Sequence, residues 1–394
     1  MVQDTRELNR SAVLSHLLRS RPASRKQIAQ SSGISPATVT RAVEQLIAEG
    51  IVREGSELIS DQRGRRAVLL DVVPDRALAV GIDLGASNTR ALLADFTGAA
   101  LTRHRTSTPV GDGQEALAAW LVATVRHLAG DRLDRVGHVC IGVPGAVRDD
   151  GATITNAPNL TQIEGSAFLA RVGDLLGIPV TADNDANLAL LGEQRFGAAR
   201  GFPTTVMITI GAGLGAGIAI DGALLRGANG IVGEFGQLPA GPLGTRLELL
   251  VTGPGLMRLA AEAGVPLASP TDLFRDDAPE PVQRLRTHFD HALQIVLTAA
   301  AVSCDPGVIV LGGGIAGSLV PHLGRYESAL RAQLGSDVRL SATALGEYGG
   351  ALGGAVAALH RLYLDVGVDP AALGELPHAT GDPAADDGPA ARAG

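Results

Sequence analysis

Two glycine-rich turns, each preceded by an apolar stretch, constrain the fold of this 394-residue chain more than any other feature. Residues 78–101 predict a hydrophobic strand, a tight turn and a second strand, with Asp83 at the bend. Thr205–Thr209 predicts a strand again, Gly211–Gly217 its turn and Ala216–Ile220 the returning strand. The recurrence indicates an internal duplication. The backbone amides of both turns are suited to holding a phosphate.

The remainder of the chain predicts an α/β protein. A long helical pattern covers Val282–Ser303, and Gly312–Gly314 closes an apolar strand directly before another helix. Hydrophobic residues make up 45% of the chain and aromatic residues 3%, which is typical of a well-buried α/β protein of two or three domains. With no run of about 18 apolar residues and no basic-then-apolar leader, we expect no membrane span and a cytoplasmic location. Cys140 and Cys304 lie in apolar surroundings, so we expect structural thiols.

The first 73 residues predict a DNA-binding head. They carry 11 Lys and Arg against 8 Asp and Glu, whereas the whole chain has a net charge of −8. Apolar residues at helical spacing over Leu8–Leu18 predict a first helix, and a capping box beginning at Ser24 predicts a second. Gly33 supplies the turn to a third helix, which begins with Ser35 as its N-cap. This order is typical of a helix-turn-helix.

Two strands with a basic tip follow the helices and indicate a wing. Ile51–Arg53 and Ala67–Val73 predict the strands, and the loop between them carries three arginines. The residues expected to contact DNA are Lys26, Ser35, Thr38, Thr40, Arg41, Arg63, Arg65 and Arg66. A helical hairpin with a solvated face and a protein-interaction module are the alternatives. The agreement of helices, wing and basic tip favours DNA.

The sequence Asp183-Asn-Asp-Ala-Asn187, followed downstream by Gly233-Glu234, predicts a sugar site. An adjacent amide and carboxylate can bind neighbouring hydroxyls of a ring, and such a site rejects molecules that lack them. Asp185 is also placed to take a proton from a sugar hydroxyl, as the general base of a kinase would.

Many ordered motifs between Leu78 and Leu364 resemble the ROK family, which groups bacterial sugar kinases with transcriptional repressors. The motifs are Asp83-Leu-Gly-Ala-Ser, Gly142-Val-Pro-Gly145, Asp183 to Asn187, the glycines of Gly211 to Gly217, Asp221-Gly222, Arg226 to Gly230, Gly233-Glu234 and Leu311 to Gly314. The resemblance implies an α/β fold: an N-terminal winged helix-turn-helix, then a two-lobed, actin-like (ribonuclease-H-like) sugar kinase fold with a sugar in the cleft. We expect the head over 1–74, the two-lobed body over 75–365 and a disordered, Ala/Pro/Gly/Asp-rich tail over 366–394.

The resemblance also implies roles for individual residues. The sugar-binding residues expected from it are Asn159, Asn184, Asp185, Glu234, Gln237 and Glu248. Asp185 is catalytic only if the protein is a kinase. A vestigial nucleotide site is expected at Asp83, Gly85, Ser87, Gly211, Gly213, Gly215, Gly313 and Gly314.

The chain departs from the kinases of that family at the phosphate and zinc positions. Ala86-Ser87 replaces the Gly-Thr of the first phosphate loop, and Ala212 replaces the threonine of the second. Both changes are expected to weaken binding of ATP and magnesium. The family's zinc ligands, a histidine and three cysteines, are missing after Glu234, where Gln237 stands at the histidine position. We therefore expect no zinc and no required cofactor.

Three functions from different classes remain open. The leading one is a sugar-responsive repressor that binds double-stranded operator DNA as a homodimer or a dimer of dimers, with a monosaccharide or sugar-derived effector. The second is an ATP-dependent, glucokinase-like sugar kinase with a DNA-binding head. The third is a DNA-binding module whose body only dimerises.

Overall fold

The head forms a winged helix-turn-helix. The computed structural model describes residues 5–58, 67–109, 111, 113–241 and 244–373. The head consists of α1 (Thr5–Arg19), β1 (Ala23–Ser24), α2 (Arg25–Ser32), α3 (Pro36–Ala48), β2 (Val52–Leu58) and β3 (Ala67–Val72). The predicted capping box at Ser24, the left-handed cap at Gly33 and the N-cap at Ser35 are all present. The order of the wing sheet is β1-β3-β2, so the short strand before α2 joins the wing.

The first lobe of the body is built on a five-stranded sheet in the order β10-β7-β4-β5-β6. Its elements are β4 (Leu78–Leu84), β5 (Asn88–Ala94), β6 (Ala100–Ser107), α4 (Gln114–Ala129), β7 (Val136–Val143), β8 (Ala146–Val147), β9 (Ile154–Thr155), α5 (Ala167–Leu176), β10 (Val180–Asn184) and α6 (Asp185–Phe196). Strands β4 and β5 form the predicted first hairpin, in which Asp83 lies opposite Arg90. Strand β10 runs parallel to β7, so its C-terminal end delivers the Asp183–Asn187 segment to the edge of the sheet.

The second lobe repeats this plan with a sheet in the order β13-β12-β11-β16-β17. Its elements are β11 (Thr205–Ile210), β12 (Leu214–Ile220), β13 (Ala223–Leu224), β14 (Pro239–Ala240), β15 (Thr245–Arg246), α7 (Glu248–Val251), α8 (Gly253–Glu262), α9 (Glu280–Cys304), β16 (Val308–Gly312), α10 (Ala316–Leu319), α11 (Leu323–Leu334), β17 (Arg339–Ala342) and α12 (Gly349–Asp365). The predicted second hairpin is confirmed, but its turn is shorter than expected. The returning strand begins at Leu214, so Gly215 and Gly217 lie in β12 rather than in the turn.

Helix α12 returns from the second lobe and packs closely against α6. A β-carbon at Gly353 would lie 1.7 Å from the carbonyl oxygen of Leu188, so only glycine allows the two backbones to approach this far. The fully buried Glu193 of α6 also accepts the amide N–H groups of Ala344 (3.3 Å) and Leu345 (3.2 Å), just before α12 begins. Helices α6 and α12 are therefore held as one unit.

The head and the body share one hydrophobic core. Leu14 and Leu17 of α1 belong to the same buried cluster as Phe96 and Tyr363 of the body. The segment after α12, Val366–Leu373, also belongs to this contact, because Val368 and Leu373 are fully buried in that cluster. The prediction of a disordered tail from residue 366 was therefore wrong for these residues, whose apolar side chains complete the core. Residues 374–394 of the predicted tail lie outside the described residues.

Candidate functional site

The turn between β10 and α6 forms the floor of the candidate site. Asn184 caps α6: its Oδ1 accepts the amide N–H groups of Ala186 (3.0 Å) and Asn187 (3.2 Å). Its Nδ2 donates to the carbonyl oxygen of Gly145 at 3.1 Å. These bonds fix the first turn of α6 at the sheet edge, with Asp185 as its first residue. The helix N-terminus also favours negative charge there.

Asp183 anchors this turn, a role that the sequence did not predict. Its side chain is nearly buried and accepts a hydrogen bond from Nδ2 of Asn187 (3.1 Å) and one from the amide of Asn184 (2.8 Å). Arg226, from the second lobe, donates to the same carboxylate through Nη2 (2.6 Å) and Nε (3.1 Å). The sequence showed Arg226 only as part of a motif, with no signal of its partner.

Asp185 lies at the meeting point of the two lobes. Its Oδ1 accepts the amide N–H of Ala186 at 2.8 Å and lies 3.8 Å from where a β-carbon on Gly215 would stand. Burial raises the pKa of Asp185 to about 7, and the carboxylates of Asp83 and Glu234 add to the shift. Near neutral pH the group is therefore present in both protonation states, so it can donate to or accept from a hydroxyl.

Two glutamates extend the cluster from the second lobe. Burial raises the pKa of Glu234, and the neighbouring carboxylate of Glu248 raises it further. Glu248 begins α7, and its Oε1 lies 3.5 Å from the β-carbon position on Gly213. Burial also raises the pKa of Asp83 to about 6, although the cation of Arg90 opposes the shift. Four carboxyl groups thus come together in this cleft.

The other two predicted sugar contacts lie at the surface. Asn159 is exposed, in a turn whose Ala157 packs behind Gly145. Gln237 is also exposed, and its Oε1 accepts a hydrogen bond from Nη1 of Arg246 at 3.0 Å. The structure therefore brings the half-buried Asn184, Asp185, Glu234 and Glu248 together and leaves the exposed Asn159 and Gln237 outside this cluster.

The first predicted phosphate loop is held by its own lobe. The carbonyl oxygen of Gly85 accepts the hydroxyl of Thr108 at 2.7 Å, and the carbonyl oxygen of Ser87 accepts its amide N–H at 3.1 Å. A β-carbon on Gly85 would lie 2.7 Å from the carbonyl oxygen of Asn88, so the turn itself requires glycine. The methyl group of Ala86 packs on the core of the first lobe.

Packing explains only some glycines of the second loop. A β-carbon on Gly313, whose φ is +87°, would lie 2.4 Å from the carbonyl oxygen of Ile210. Gly215, predicted as a loop residue, is instead a strand residue pressed against the Thr209 hydroxyl, at 2.8 Å from its β-carbon position. The fold therefore needs Gly313 and Gly215 whether or not a nucleotide binds. The β-carbon position on Gly211 lies 3.8 Å from the amide nitrogen of Gly314, an ordinary contact, so packing does not require glycine there, and the turns after β11 and β16 are neighbours.

The residues at the family's zinc loop do not fit a zinc ion. Gln237 replaces the expected histidine, and the following chain forms the small hairpin of β14 and β15. In the part of the chain that the structure describes, no group of three or more His, Cys, Asp or Glu side chains is arranged to hold a metal ion. None of the described helices is long and apolar enough to cross a membrane.

On the head, α3 presents one exposed face. Arg41 lies on this face, and Lys26 of α2 is exposed as well. The hydroxyl groups of Ser35 and Thr38 bond to each other at 2.9 Å at the helix cap, and the hydroxyl of Thr40 donates to the carbonyl oxygen of Pro36. These three hydroxyl groups form hydrogen bonds within α3 and its cap. Of the residues of α3 predicted to contact DNA, Arg41 has the longest polar side chain, and it is the one expected to read bases. Arg63, Arg65 and Arg66 of the predicted wing tip lie outside the described residues.

Two family models match this chain. The ROK family model matches residues 79–361, and a winged helix-turn-helix DNA-binding model matches residues 6–53. The first match lies in the body and the second in the head.

Individual proteins are similar to the chain over different lengths. It is 33% identical over 235 residues to the xylose repressor of Caldicellulosiruptor bescii, an alignment that spans 59% of this chain and 58% of that protein. It is 31% identical over 308 residues to the N-acetylgalactosamine kinase AgaK of a Shewanella species, spanning 73% of this chain and 98% of the kinase. The crystal structure of a ROK family transcriptional regulator, a homolog of the E. coli MLC protein, superposes with a TM-score of 0.75 over 92% of this chain and 97% of its own, at 23% identity. At that identity the superposition supports the shared fold alone.

Proposed function

This chain belongs to the ROK family, and we propose that it is a sugar-responsive repressor that binds operator DNA through its winged head. The xylose repressor named above is similar to this chain over 235 residues, and the winged helix-turn-helix model matches the head. A body that binds sugar and a head that binds DNA need a physical connection if one is to control the other.

Helix α12 supplies that connection, and this observation carries the proposal. At its beginning, a β-carbon on Gly350 would lie 3.3 Å from Oδ2 of Asp83, a member of the carboxylate cluster. At its end, the hydroxyl of Tyr363 donates to the carbonyl oxygen of Phe96 at 2.9 Å, within the core shared with the head. A ligand that shifts Asp83 therefore acts on the helix that supports the head.

The segment that follows α12 completes the connection. The guanidinium of Arg10 in α1 donates to the carbonyl oxygen of Val366 and pairs with Glu49 at the end of α3. Val368 and Leu373 are buried in the shared core. A displacement of α12 is thus passed to α1 and to the C-terminal end of α3 through the contacts of a few residues.

The charge of the cleft favours a neutral sugar as the effector. Asp83, Asp185, Glu234 and Glu248 would repel a phosphate group, and Arg226 is already engaged with Asp183, next to Asn184. Carboxylates and an amide together match the hydroxyl groups of a neutral ring. We propose that the protein acts as a homodimer, so that two heads contact two half-sites of an operator.

A thermal-shift screen followed by DNA binding tests this function. D-xylose, D-glucose and N-acetyl-D-galactosamine are compared with glucose 6-phosphate. A sugar at a hundred times its dissociation constant adds about 2.7 kcal/mol to stability. A duplex selected from a random pool then serves for gel shifts with and without the sugar that binds. The proposal would be contradicted if glucose 6-phosphate alone raised the melting temperature, or if no bound sugar changed the affinity for DNA.

A sugar kinase with a DNA-binding head is the second candidate, favoured by one observation. The pKa of Asp185 lies at about 7, which suits a general base at neutral pH. Gly85 and Gly313 are explained by the packing of the chain, and Ala86 and Ala212 replace family phosphate-loop residues, so we propose that neither ATP with magnesium nor zinc is required. A coupled assay decides between the two candidates. Turnover of about 1–100 per second on a bound sugar would make the protein a kinase.

A further inference from the structure

We infer that Arg226 is a positioning residue that fastens the two lobes together across the sugar site, an inference that rests on the proposed function for its ligand. Arg226 follows β13 at the edge of the second-lobe sheet, whereas Asp183 lies near the end of β10 at the edge of the first-lobe sheet. Two hydrogen bonds, from Nη2 (2.6 Å) and Nε (3.1 Å) of Arg226 to the same Oδ2 of Asp183, therefore join the lobes directly.

The residues that follow Arg226 form a strap between the lobes, comprising residues 226–234. On the first lobe, a β-carbon on Gly230 would lie 3.2 Å from Cβ of Ala146 and 3.4 Å from the carbonyl oxygen of Val147. On the second lobe, Gly233 is pressed against β12, since its β-carbon position lies 2.0 Å from the carbonyl oxygen of Ala216. The strap ends at Glu234, a member of the carboxylate cluster.

Burial of apolar side chains contributes little to holding this strap on the first lobe. Residues 226–229 are exposed, and Ile231 is 64% exposed. The contact with the first lobe consequently depends on the ion pair and on the backbone of Gly230. Because two charge-assisted hydrogen bonds from one planar guanidinium are directional, they fix the strap in one position over the site.

The same ion pair orients the sugar-binding turn. Asp183 accepts the amide of Asn184 and Nδ2 of Asn187 as well as the guanidinium, so losing Arg226 leaves a nearly buried carboxylate without its counter-ion. Arg226 thus positions Asn184 and Asp185 through Asp183, and Glu234 through the strap. Arg226 therefore acts on residues that lie on both sides of a sugar ring bound in the cleft.

Hydrogen exchange of the protein without sugar tests this role directly. Arg226→Met should accelerate exchange of the amides in residues 184–187 and of Glu234, whose N–H donates to the carbonyl oxygen of Ile231 in the strap, by about tenfold or more, because the pair no longer holds either segment. Arg226→Lys keeps the charge but not the two guanidinium donors, and its exchange rates should lie between those of the wild type and Arg226→Met. The control is Arg258→Met, which removes a similarly exposed arginine from its ion pair with Glu262 within one helix and should leave both segments unchanged.

A second variant guards against a folding defect. Asp183→Asn should accelerate amide exchange in the same segments. Exchange in the double variant should be no faster than in either single variant, as expected for partners of one pair. Additive effects, or unchanged exchange at residues 184–187 in Arg226→Met, would overturn the inference. If one of the screened sugars binds, Arg226→Met should weaken its affinity by about tenfold to a hundredfold. If no sugar binds the wild type, the proposed function fails while the exchange experiment still decides the role of Arg226.

Discussion

Replacing Asp185 with asparagine should stabilise the protein while weakening the proposed sugar binding. The folded protein holds the pKa of Asp185 at about 7, against an ordinary value of 3.8 for aspartate, mainly through burial and the nearby Asp83. Ionising this group in the folded state therefore costs up to about 4 kcal/mol at pH 8. Asparagine has no charge to bury, and its Oδ1 can still accept the amide N–H of Ala186.

The pH dependence provides the sharper test. A carboxyl group with a raised pKa in the folded state destabilises the protein fully above that pKa, and the cost disappears as the pH falls towards the unfolded value. The stability gained by Asp185→Asn should thus be largest above about pH 7 and should approach zero near pH 4. Removing this charge should also lower the pKa of Glu234, which faces the same cleft.

Urea denaturation at pH 8, 6 and 4 measures this gain. The single tryptophan, Trp120, lies on α4 in the first lobe and reports its unfolding by fluorescence. Asp134→Asn, at an exposed aspartate, is the control and should change stability little at any pH. If Asp185→Asn is no more stable than the wild type at pH 8, the argument that the cleft concentrates unfavourable charge is refuted. Calorimetry on the stabilised variant should show weakened binding of the sugar found in the screen.

Other outcomes follow from the head, the zinc loop and the C-terminal segment. Arg41→Ala should relax the sequence preference in gel shifts, whereas replacing Arg65 and Arg66 together should weaken binding to all sequences and lower the salt slope by about one per arginine. Elemental analysis should find no stoichiometric zinc, and EDTA should leave the melting temperature unchanged; one zinc per chain would contradict this. Truncation after Asp365 should lower head stability by several kcal/mol, since two buried apolar side chains are lost, whereas deleting only residues 374–394 should not.

Local chemistry made much of this fold predictable. The helices of the head are delimited by signals that act within a few residues: the capping box at Ser24, the left-handed Gly33 and the N-cap at Ser35. The Asn184-Asp185 turn was predictable in the same way, since an asparagine that caps a helix directs the next side chain to the helix entrance. Short-range hydrogen bonds of this kind depend on sequence spacing alone.

Tertiary structure decided which of these groups meet. Arg226 and Asp183 are 43 positions apart and pair only because two sheets present their edges to one cleft. The raised pKa of Asp185 likewise depends on its burial between the lobes and, to a smaller extent, on Asp83 and Glu234, which come from different lobes. Val368 and Leu373 looked like part of a polar, low-complexity tail, yet they are buried because α12 ends against the head. Burial and charge proximity depend on packing between distant segments, whereas the sequence by itself determined the local elements and the residue types that the cleft would contain.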